Sequence, residues 1–324
     1  MTATDQRRLG KTDIWVSQIA IGCWPIAGMT TLGTNEADSL ATIRACFNVG
    51  INFLDTAYCY GPHGESERLI AKALGNRRDQ MVIATKCGIG WDKNIKQVVD
   101  GRPATLKQQC EESLRRLGTD RVELLYLHSP DPQTPLADSA GALRELMEAG
   151  KTRTVGLSNA SIDQLREFAA VCPLSSFQPP YNMLQRNIES TSLPWCRENE
   201  VSAFVYWPLM KGLLAGKLAR DHVWAVGDGR AKYPMFQGAE WEKNQDFLDE
   251  LRKVASSADR TVSQVVLNWT IHQPGITAAL CGAKRADQIR ENAGGMGWRL
   301  TGEQTSAIDK ALLTRGTAVT RRST

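Results

Sequence analysis

The chain has 324 residues and is 42 % hydrophobic, enough for one large α/β barrel or two ordinary domains and too apolar for global disorder. Its net charge of +4 is spread along the sequence with no dense basic block, which argues against nucleic acid as a partner. No apolar run reaches membrane-spanning length, none of signal length follows Met1–Arg8, and the eight cysteines form no C-x-x-C pair, so the expectation is a protein of a reducing compartment, the cytoplasm, with no membrane partner and no metal.

Taken in chain order, Arg7-Arg8-Leu9, a Gly10-Lys11 turn and Ile14–Gln18 predict a short N-terminal β-hairpin. Strand-like runs follow at Ile19–Cys23, Asn52–Asp55, Val82–Lys86, Val122–His128, Thr154–Ser158, Ser176–Gln178, Ala203–Tyr206 and Thr277–Leu280. Helical spacing separates them, as in Leu106–Leu117, which stops at Gly118, and Leu136–Glu148; further helices are expected at Val265–Gln273 and Asp287–Ala293. Eight strands alternating with helices predict an α/β fold, a (β/α)8 TIM barrel, in one domain covering 1–324. The barrel proper is expected over about 8–314, with 315–324 a flexible tail. Lys217–Gly238 has no clear period and reads as a long functional cover.

Polar residues stand at the ends of three successive apolar runs: Asp55 with Tyr60 close behind, Lys86, and His128. Each gap between runs is about one βα unit, so a barrel brings these groups to one rim, at the strand C-termini where such barrels keep their chemistry. A phenol is a reluctant acid at neutral pH. A nearby Lys86 cation is expected to lower its pKa, with Asp55 holding the ammonium and His128 bonding a carbonyl oxygen. No G-x-G-x-x-G follows a strand, so a Rossmann pyrophosphate grip is not supported. His63, His222 and His272 have no metal-like neighbours.

The phrases around these residues resemble the aldo-keto reductase family. They are Asp55-Thr56-Ala57-Tyr58-Cys59-Tyr60-Gly61 with Glu65 and Glu67, Thr85-Lys86, Leu125–Pro130, Gly156–Asn159, Phe177-Gln178 with Tyr181-Asn182, Tyr206-Trp207-Pro208-Leu209 with Gly212–Lys217, and Cys281–Arg285 with Gln288, Glu291 and Asn292. They run in order from about Arg8 to Asp309. The resemblance implies a barrel that binds NADPH in extended form and passes a hydride to a small-molecule carbonyl, with Tyr60 as acid and Asp55, Lys86 and His128 in the roles just given. It implies Ser158, Asn159 and Gln178 around the nicotinamide carboxamide, whose donor and acceptor those side chains suit. Tyr206 would stack on the ring, with Cys23, Trp24 and Asp55 also at the cofactor.

On the same basis the pyrophosphate would meet Pro208, Leu209, Gly212 and Lys217, with Arg230 reaching in from the cover. Gly282, Lys284 and Arg285 would take the 2′-phosphate end, which wants charge-assisted donors, and Gln288, Glu291 and Asn292 the adenosine. Trp24, Tyr58, Tyr60, Trp91 and His128 would line the substrate mouth. Trp207 stands where many members carry a serine, so the contact expected there passes to the backbone; Cys281 replaces a common proline. Two other readings stay open. One is a cofactor-binding module without catalysis, like channel β subunits of this fold, in which the histidine position is altered. The other is an isomerase or aldolase using Lys86 as a Schiff base, against which the missing Gly-rich phosphate loop counts. The identity of the carbonyl, the direction of reaction and the number of subunits are not encoded in any motif.

Overall fold

The computed structural model describes residues 6–29 and 32–319. A hairpin of β1 (Gln6–Arg8) and β2 (Trp15–Ser17) opens the chain, followed by β3 (Ile19–Gly22), α1 (Glu36–Val49), β4 (Phe53–Asp55), α2 (Glu65–Leu74) and β5 (Val82–Cys87). A second hairpin, β6 (Ile89–Trp91) and β7 (Gln97–Val99), precedes α3 (Pro103–Leu117), β8 (Val122–Leu127), α4 (Leu136–Glu148), β9 (Thr152–Ser158), α5 (Ile162–Val171) and β10 (Ser176–Gln178). Then come α6 (Ser192–Glu198), β11 (Ser202–Tyr206), α7 (Gly238–Ser257), α8 (Val262–Ile271), β12 (Ile276–Gly282), α9 (Ala286–Ala293) and α10 (Gly302–Arg315). Eight parallel strands close into a barrel in the order β10-β11-β12-β3-β4-β5-β8-β9, the architecture expected from the strand runs.

Side chains alternate across a strand, and two packed clusters follow from that. Phe53, Val82, Ala84, Leu124, Tyr126, Phe204, Ala278 and Leu280 fill the barrel interior, with the Phe53 and Phe204 rings 4.8 Å apart. Leu9, Ile14 and Val16 of the first hairpin join the same cluster. The hairpin is pinned beside the strand starts, where Ser17 N donates to Asn52 Oδ1 at 2.7 Å, so it plugs the N-terminal end of the barrel. The outward residues, such as Leu54, Ile83, Leu125 and Val155, pack under the helices. The period of two then puts Asp55, Lys86, His128, Ser158, Gln178 and Tyr206 one layer above that interior filling. Binary patterning thus sets which end of the barrel is greasy and which is polar.

Gly156 shows how tightly the interior is filled. A Cβ there would lie 2.3 Å from the Tyr126 ring, which is fully buried and bonded to Ser176 Oγ at 2.6 Å. Gly156→Ala is therefore expected to lower stability by about 1–3 kcal/mol through overpacking, read as a lower denaturant midpoint with an unchanged slope. An unshifted midpoint would mean that the ring has room to turn aside.

Two features are added to the sequence reading here and one expectation is corrected. The β6–β7 hairpin was not foreseen, because its exposed Ile95, Val98 and Val99 give no buried-strand pattern. Within Lys217–Gly238 the chain makes a tight turn of helix at Gly229–Lys232. The segment after Thr314 is tied down as far as Val319: Arg315 is buried, bonds Glu240 and Asn244, and Val319 N donates to Glu240 Oε1. The rest of the expected tail, 320–324, lies outside the described residues. No helix among the described residues is long and apolar enough to cross a membrane, and all eight cysteines are free and buried.

Candidate active site

The strand ends deliver one continuous polar arc to the barrel mouth. Lys86, at the end of β5 and almost fully buried, donates to Asp55 Oδ1 at 2.5 Å and to the Thr56 carbonyl at 2.7 Å. Its Nζ stands 3.4 Å from Tyr60 Oη. The second Asp55 oxygen accepts from Gln178 Nε2 at 2.8 Å. Ser158 Oγ donates to the Gln178 carbonyl at 2.9 Å, and Asn159 Nδ2 donates to Ser158 Oγ at 3.2 Å and to the His128 carbonyl at 2.9 Å. Tyr206 Oη closes the arc on Asn159 Oδ1 at 2.7 Å. Asn159 adopts a left-handed backbone (φ 55°) that turns its amide back over the mouth.

Tyr60 is carried by the loop between β4 and α2, which is fastened at several points. Tyr58 N donates to the Lys86 carbonyl at 3.0 Å, Ser66 N to the Tyr60 carbonyl at 3.1 Å, and Trp91 Nε1 to the Cys59 carbonyl at 3.2 Å. A buried charge network backs it. Glu67 accepts from Thr85 Oγ1 at 2.7 Å and from Arg116, and Arg116 also donates to the Tyr58 carbonyl at 3.2 Å. Sequence reasoning read Glu67 only as part of a phrase and missed Arg116, because nothing at the level of motif links α3 to this loop. Trp24 meets Tyr60 edge-on at 5.0 Å and His128 at 5.9 Å completes an aromatic rim.

The electrostatics differ from the expectation in one respect. Lys86 was expected to lower the Tyr60 pKa. Its ammonium is instead engaged by Asp55 and a carbonyl, and the phenol is pushed well above its ordinary value of 10, by burial first and then by the Asp55 charge. Burial also raises Asp55, against the pull of Lys86 and Gln178. His128 is held well below its usual 6.5, by burial first and then by the Lys86 cation, so its imidazole is neutral at ordinary pH.

Tyr58 was expected on the substrate rim. Its hydroxyl instead donates to Glu112 Oε2 on α3 at 2.7 Å, and its ring stacks under Arg116 at 4.3 Å, so it faces the outer helix. Trp24 and Trp91 do flank the Tyr60 loop. Cys23 is buried under the arc, its N–H donating to the Asp55 carbonyl at 2.8 Å.

Across the mouth, the turn after β11 is strained. Trp207 (φ 62°), Met210 (φ 44°) and Lys211 (φ 56°) all take positive φ, and Gly212 follows at φ 90°. Non-glycine residues in this region are uncommon and cost roughly 1–3 kcal/mol each, so the turn is held against a local penalty. Pro208 and Leu209 lie inside it, closed by Gly212 N donating to the Leu209 carbonyl at 2.8 Å. Lys211, which sequence reasoning passed over, rests its ammonium over the Trp207 ring at 4.4 Å and over Tyr233 at 4.6 Å. Its signal was available as a lysine next to Gly212 in the turn.

The basic residues assigned to phosphates all have protein partners. Lys217 pairs with Glu291, although the two were assigned to different parts of the cofactor. Arg230 pairs with Asp228 at 2.7 Å and reaches the Lys211 carbonyl at 3.4 Å. Lys284 Nζ donates to the Leu32 carbonyl at 2.8 Å, and Arg285 grips Asp287 through two bonds of 2.9 and 3.0 Å. Gln288 Oε1 accepts from Lys284 N at 2.9 Å, and Asn292 is buried one turn further along α9. Gly282 ends β12 in register with Gly22. Arg230 thus sits against the strained turn, while Lys284 and Arg285 stand at the start of α9. Among the described residues no group of three or more His, Cys, Asp or Glu could hold a metal.

Comparison with known proteins places this geometry among relatives. The model of the Aldo/keto reductase family matches residues 18–313. The chain is 36 % identical over 307 residues to "Aldo-keto reductase YhdN" of Bacillus subtilis (strain 168), covering 94 % of this chain and 92 % of the relative. It is 32 % identical over 308 residues to the "NADH-specific methylglyoxal reductase" of Escherichia coli (strain K12), covering 90 % and 94 %. Among solved structures, the glycerol dehydrogenase AKR11B4 from Gluconobacter oxydans superposes with a TM-score of 0.91 at 34 % identity, covering 100 % of this chain and 99 % of that one. The holo form of aldo-keto reductase AKR11C1 from Bacillus halodurans gives 0.77 at 28 % identity, covering 95 % and 96 %.

Proposed function

The chain belongs to the aldo/keto reductase family, and from that premise we propose that it reduces a small aldehyde or ketone to the alcohol with NADPH, Tyr60 giving the proton. The observation that carries this reading is the barrel-mouth cluster in which a buried phenol lies 3.4 Å from Lys86 and beside the His128 ring. When bound, the nicotinamide supplies the hydride. Ser158, Asn159 and Gln178 hold a carboxamide, since the three offer hydroxyl, amide oxygen and amide N–H groups on one side of the mouth. Tyr206, anchored on Asn159, presents its ring as the stacking face.

Tyr60 Oη and His128 then bond one carbonyl oxygen. As charge grows on that oxygen, Tyr60 releases its proton to it, and the Lys86 cation 3.4 Å away stabilises the phenolate left behind. Asp55 holds Lys86 in place in a buried pair. The same bonding fixes the Lys86 nitrogen on Asp55 and the Thr56 carbonyl, away from a covalent partner, which disfavours the Schiff-base alternative. The turn after β11 would take the pyrophosphate, because it carries the Lys211 cation and Arg230 reaches the Lys211 carbonyl at 3.4 Å.

Trp24 and Trp91 form apolar walls suited to short carbonyls and to sugar rings. The glycerol dehydrogenase and methylglyoxal reductase relatives support small oxygenated substrates of the sugar-derived kind. Eight free thiols fit the cytoplasm. A carbonyl panel followed by NADPH absorbance tests the function; no turnover of any aldehyde or ketone would sink it.

The preference for NADPH rests on Lys284 and Arg285 beside the α9 N-terminus, where a dianionic 2′-phosphate can displace the Leu32 carbonyl from Lys284 and compete with Asp287 for Arg285. NADPH is therefore expected to quench protein fluorescence at lower concentration than NADH, and Lys284→Ala with Arg285→Ala to erase the difference. Equal affinities in the wild-type protein would remove this assignment, and the NADH-specific relative makes the measurement necessary.

A further inference from the structure

His128 has a neighbour to which the reaction above gives no part. Cys59 Sγ lies 3.5 Å from His128 Nδ1, within hydrogen-bond reach for sulfur, and Cys59 is fully buried. Both residues are fixed from behind. The Cys59 carbonyl accepts from Trp91 Nε1 at 3.2 Å, His128 N donates to the Cys87 carbonyl at 2.9 Å, and the His128 carbonyl accepts from Asn159 Nδ2 at 2.9 Å. The contact is therefore a product of two anchored backbones.

A neutral imidazole carries one N–H, and the partner of one nitrogen decides which nitrogen holds it. With the proton on Nδ1, the Nε2 left for the mouth is a lone pair facing a carbonyl oxygen, which repels. With Nδ1 accepting a bond, Nε2 carries the proton and donates. We propose that Cys59 is a positioning residue whose S–H donates to Nδ1 and holds His128 in the Nε2–H tautomer that can bond a substrate carbonyl. The proposal rests on the reductase reading above. The polarity follows from chemistry: a thiol sulfur is a weak acceptor whereas an unprotonated imidazole nitrogen is a good one. Burial also pushes the Cys59 thiol up to about 12, so it keeps the proton it donates. The Lys86 cation acts on the His128 ring and disfavours a second proton there, and Lys86 and Glu67 both act on Cys59.

The test is the tautomer itself. In ¹⁵N-labelled protein, two-bond ¹⁵N–¹H correlations report which nitrogen of each histidine carries hydrogen, and His128→Asn identifies the His128 signal among the four histidines. Wild-type protein is expected to show Nε2–H. Cys59→Val, which keeps the volume and removes the donor, is expected to shift His128 toward Nδ1–H. It should also lower kcat/KM for the carbonyl about fivefold, the size of one lost hydrogen bond, with cofactor affinity unchanged. Cys59→Ser restores both, which a purely packing role would not predict. Nδ1–H in the wild type, or Nε2–H undiminished in Cys59→Val, overturns the proposal. If the wild-type protein reduces no carbonyl, the reductase reading fails while the tautomer measurement still decides the role of Cys59.

Discussion

Tyr60→Phe leaves cofactor binding intact and lowers carbonyl reduction by about two to four orders of magnitude, the usual worth of a positioned general acid. The substitution removes one oxygen and keeps the ring, whose packing against Trp24 is edge-on at 5.0 Å. The aromatic rim therefore stays, and with it the shelf of Ser158, Asn159 and Gln178, none of which bonds Tyr60. A fluorescence titration with NADPH and a turnover assay on the same preparation separate the two effects. Near-normal turnover would remove Tyr60 as the acid; lost binding would show that the hydroxyl shapes the cofactor side instead.

The pH dependence carries a second, independent mark of the same assignment. The acid must be protonated to act, and burial holds the Tyr60 phenol well above 10. Reduction is therefore expected to stay level from neutral to mildly alkaline pH and to fall only as pH rises through that raised pKa. His128, depressed well below 6.5, adds no transition in the neutral range because its imidazole is already neutral there. A profile of kcat/KM that drops between pH 6 and 8 would contradict both statements (about one unit either side of a normal imidazole).

The parts of this molecule that could be read from sequence are those where burial dictates residue type. Most barrel strands are runs such as Phe53-Leu54 or Leu124–Leu127, buried on both faces, with a polar group at the C-terminal end, as at Asp55, Lys86 and His128. Asp55, Lys86 and His128 fall at one rim because strand alternation and the βα spacing leave little freedom. Partner choice among long side chains obeys no such rule. Tyr58 and Tyr60 differ by two positions in a loop, yet one turns to Glu112 on α3 and the other to the mouth, since loop backbone has no fixed period. Arg285 was assigned to the 2′-phosphate without its partner Asp287, two residues on, and Lys217 and Glu291 pair across 74 positions. The direction of the Tyr60 shift was misjudged for the same reason. A cation lowers a neighbouring pKa only to the extent that its charge is uncommitted, and the commitment of Lys86 to Asp55 is a fact of geometry.

That commitment makes Lys86 the position where loss is expected to be largest in stability as well as in rate. Asp55 and Lys86 are 2 % and 1 % exposed, and removing one member of such a pair leaves the other charged with no counter-ion. Lys86→Met is expected to cost about 3–5 kcal/mol of stability, with Gln178 the remaining side-chain donor to Asp55 among the described residues. The sign of its pH dependence follows. Burial already raises Asp55 above the unfolded value, and losing Lys86 removes the main opposing influence. The folded variant then binds a proton more tightly than the unfolded chain, so its stability falls as pH rises through the raised carboxyl pKa. The deficit relative to wild type should accordingly be smaller at acidic than at alkaline pH. Adding Asp55→Asn to Lys86→Met removes the stranded charge and should recover most of the stability, because replacing a whole buried pair by neutral groups is close to neutral. Activity does not return, since no cation then stabilises a Tyr60 phenolate. Denaturant melts of the two single variants and the double variant, paired with turnover, form the cycle. Recovery of stability together with rate would mean that Lys86 serves packing alone, whereas recovery of stability without rate assigns its charge to the proton transfer.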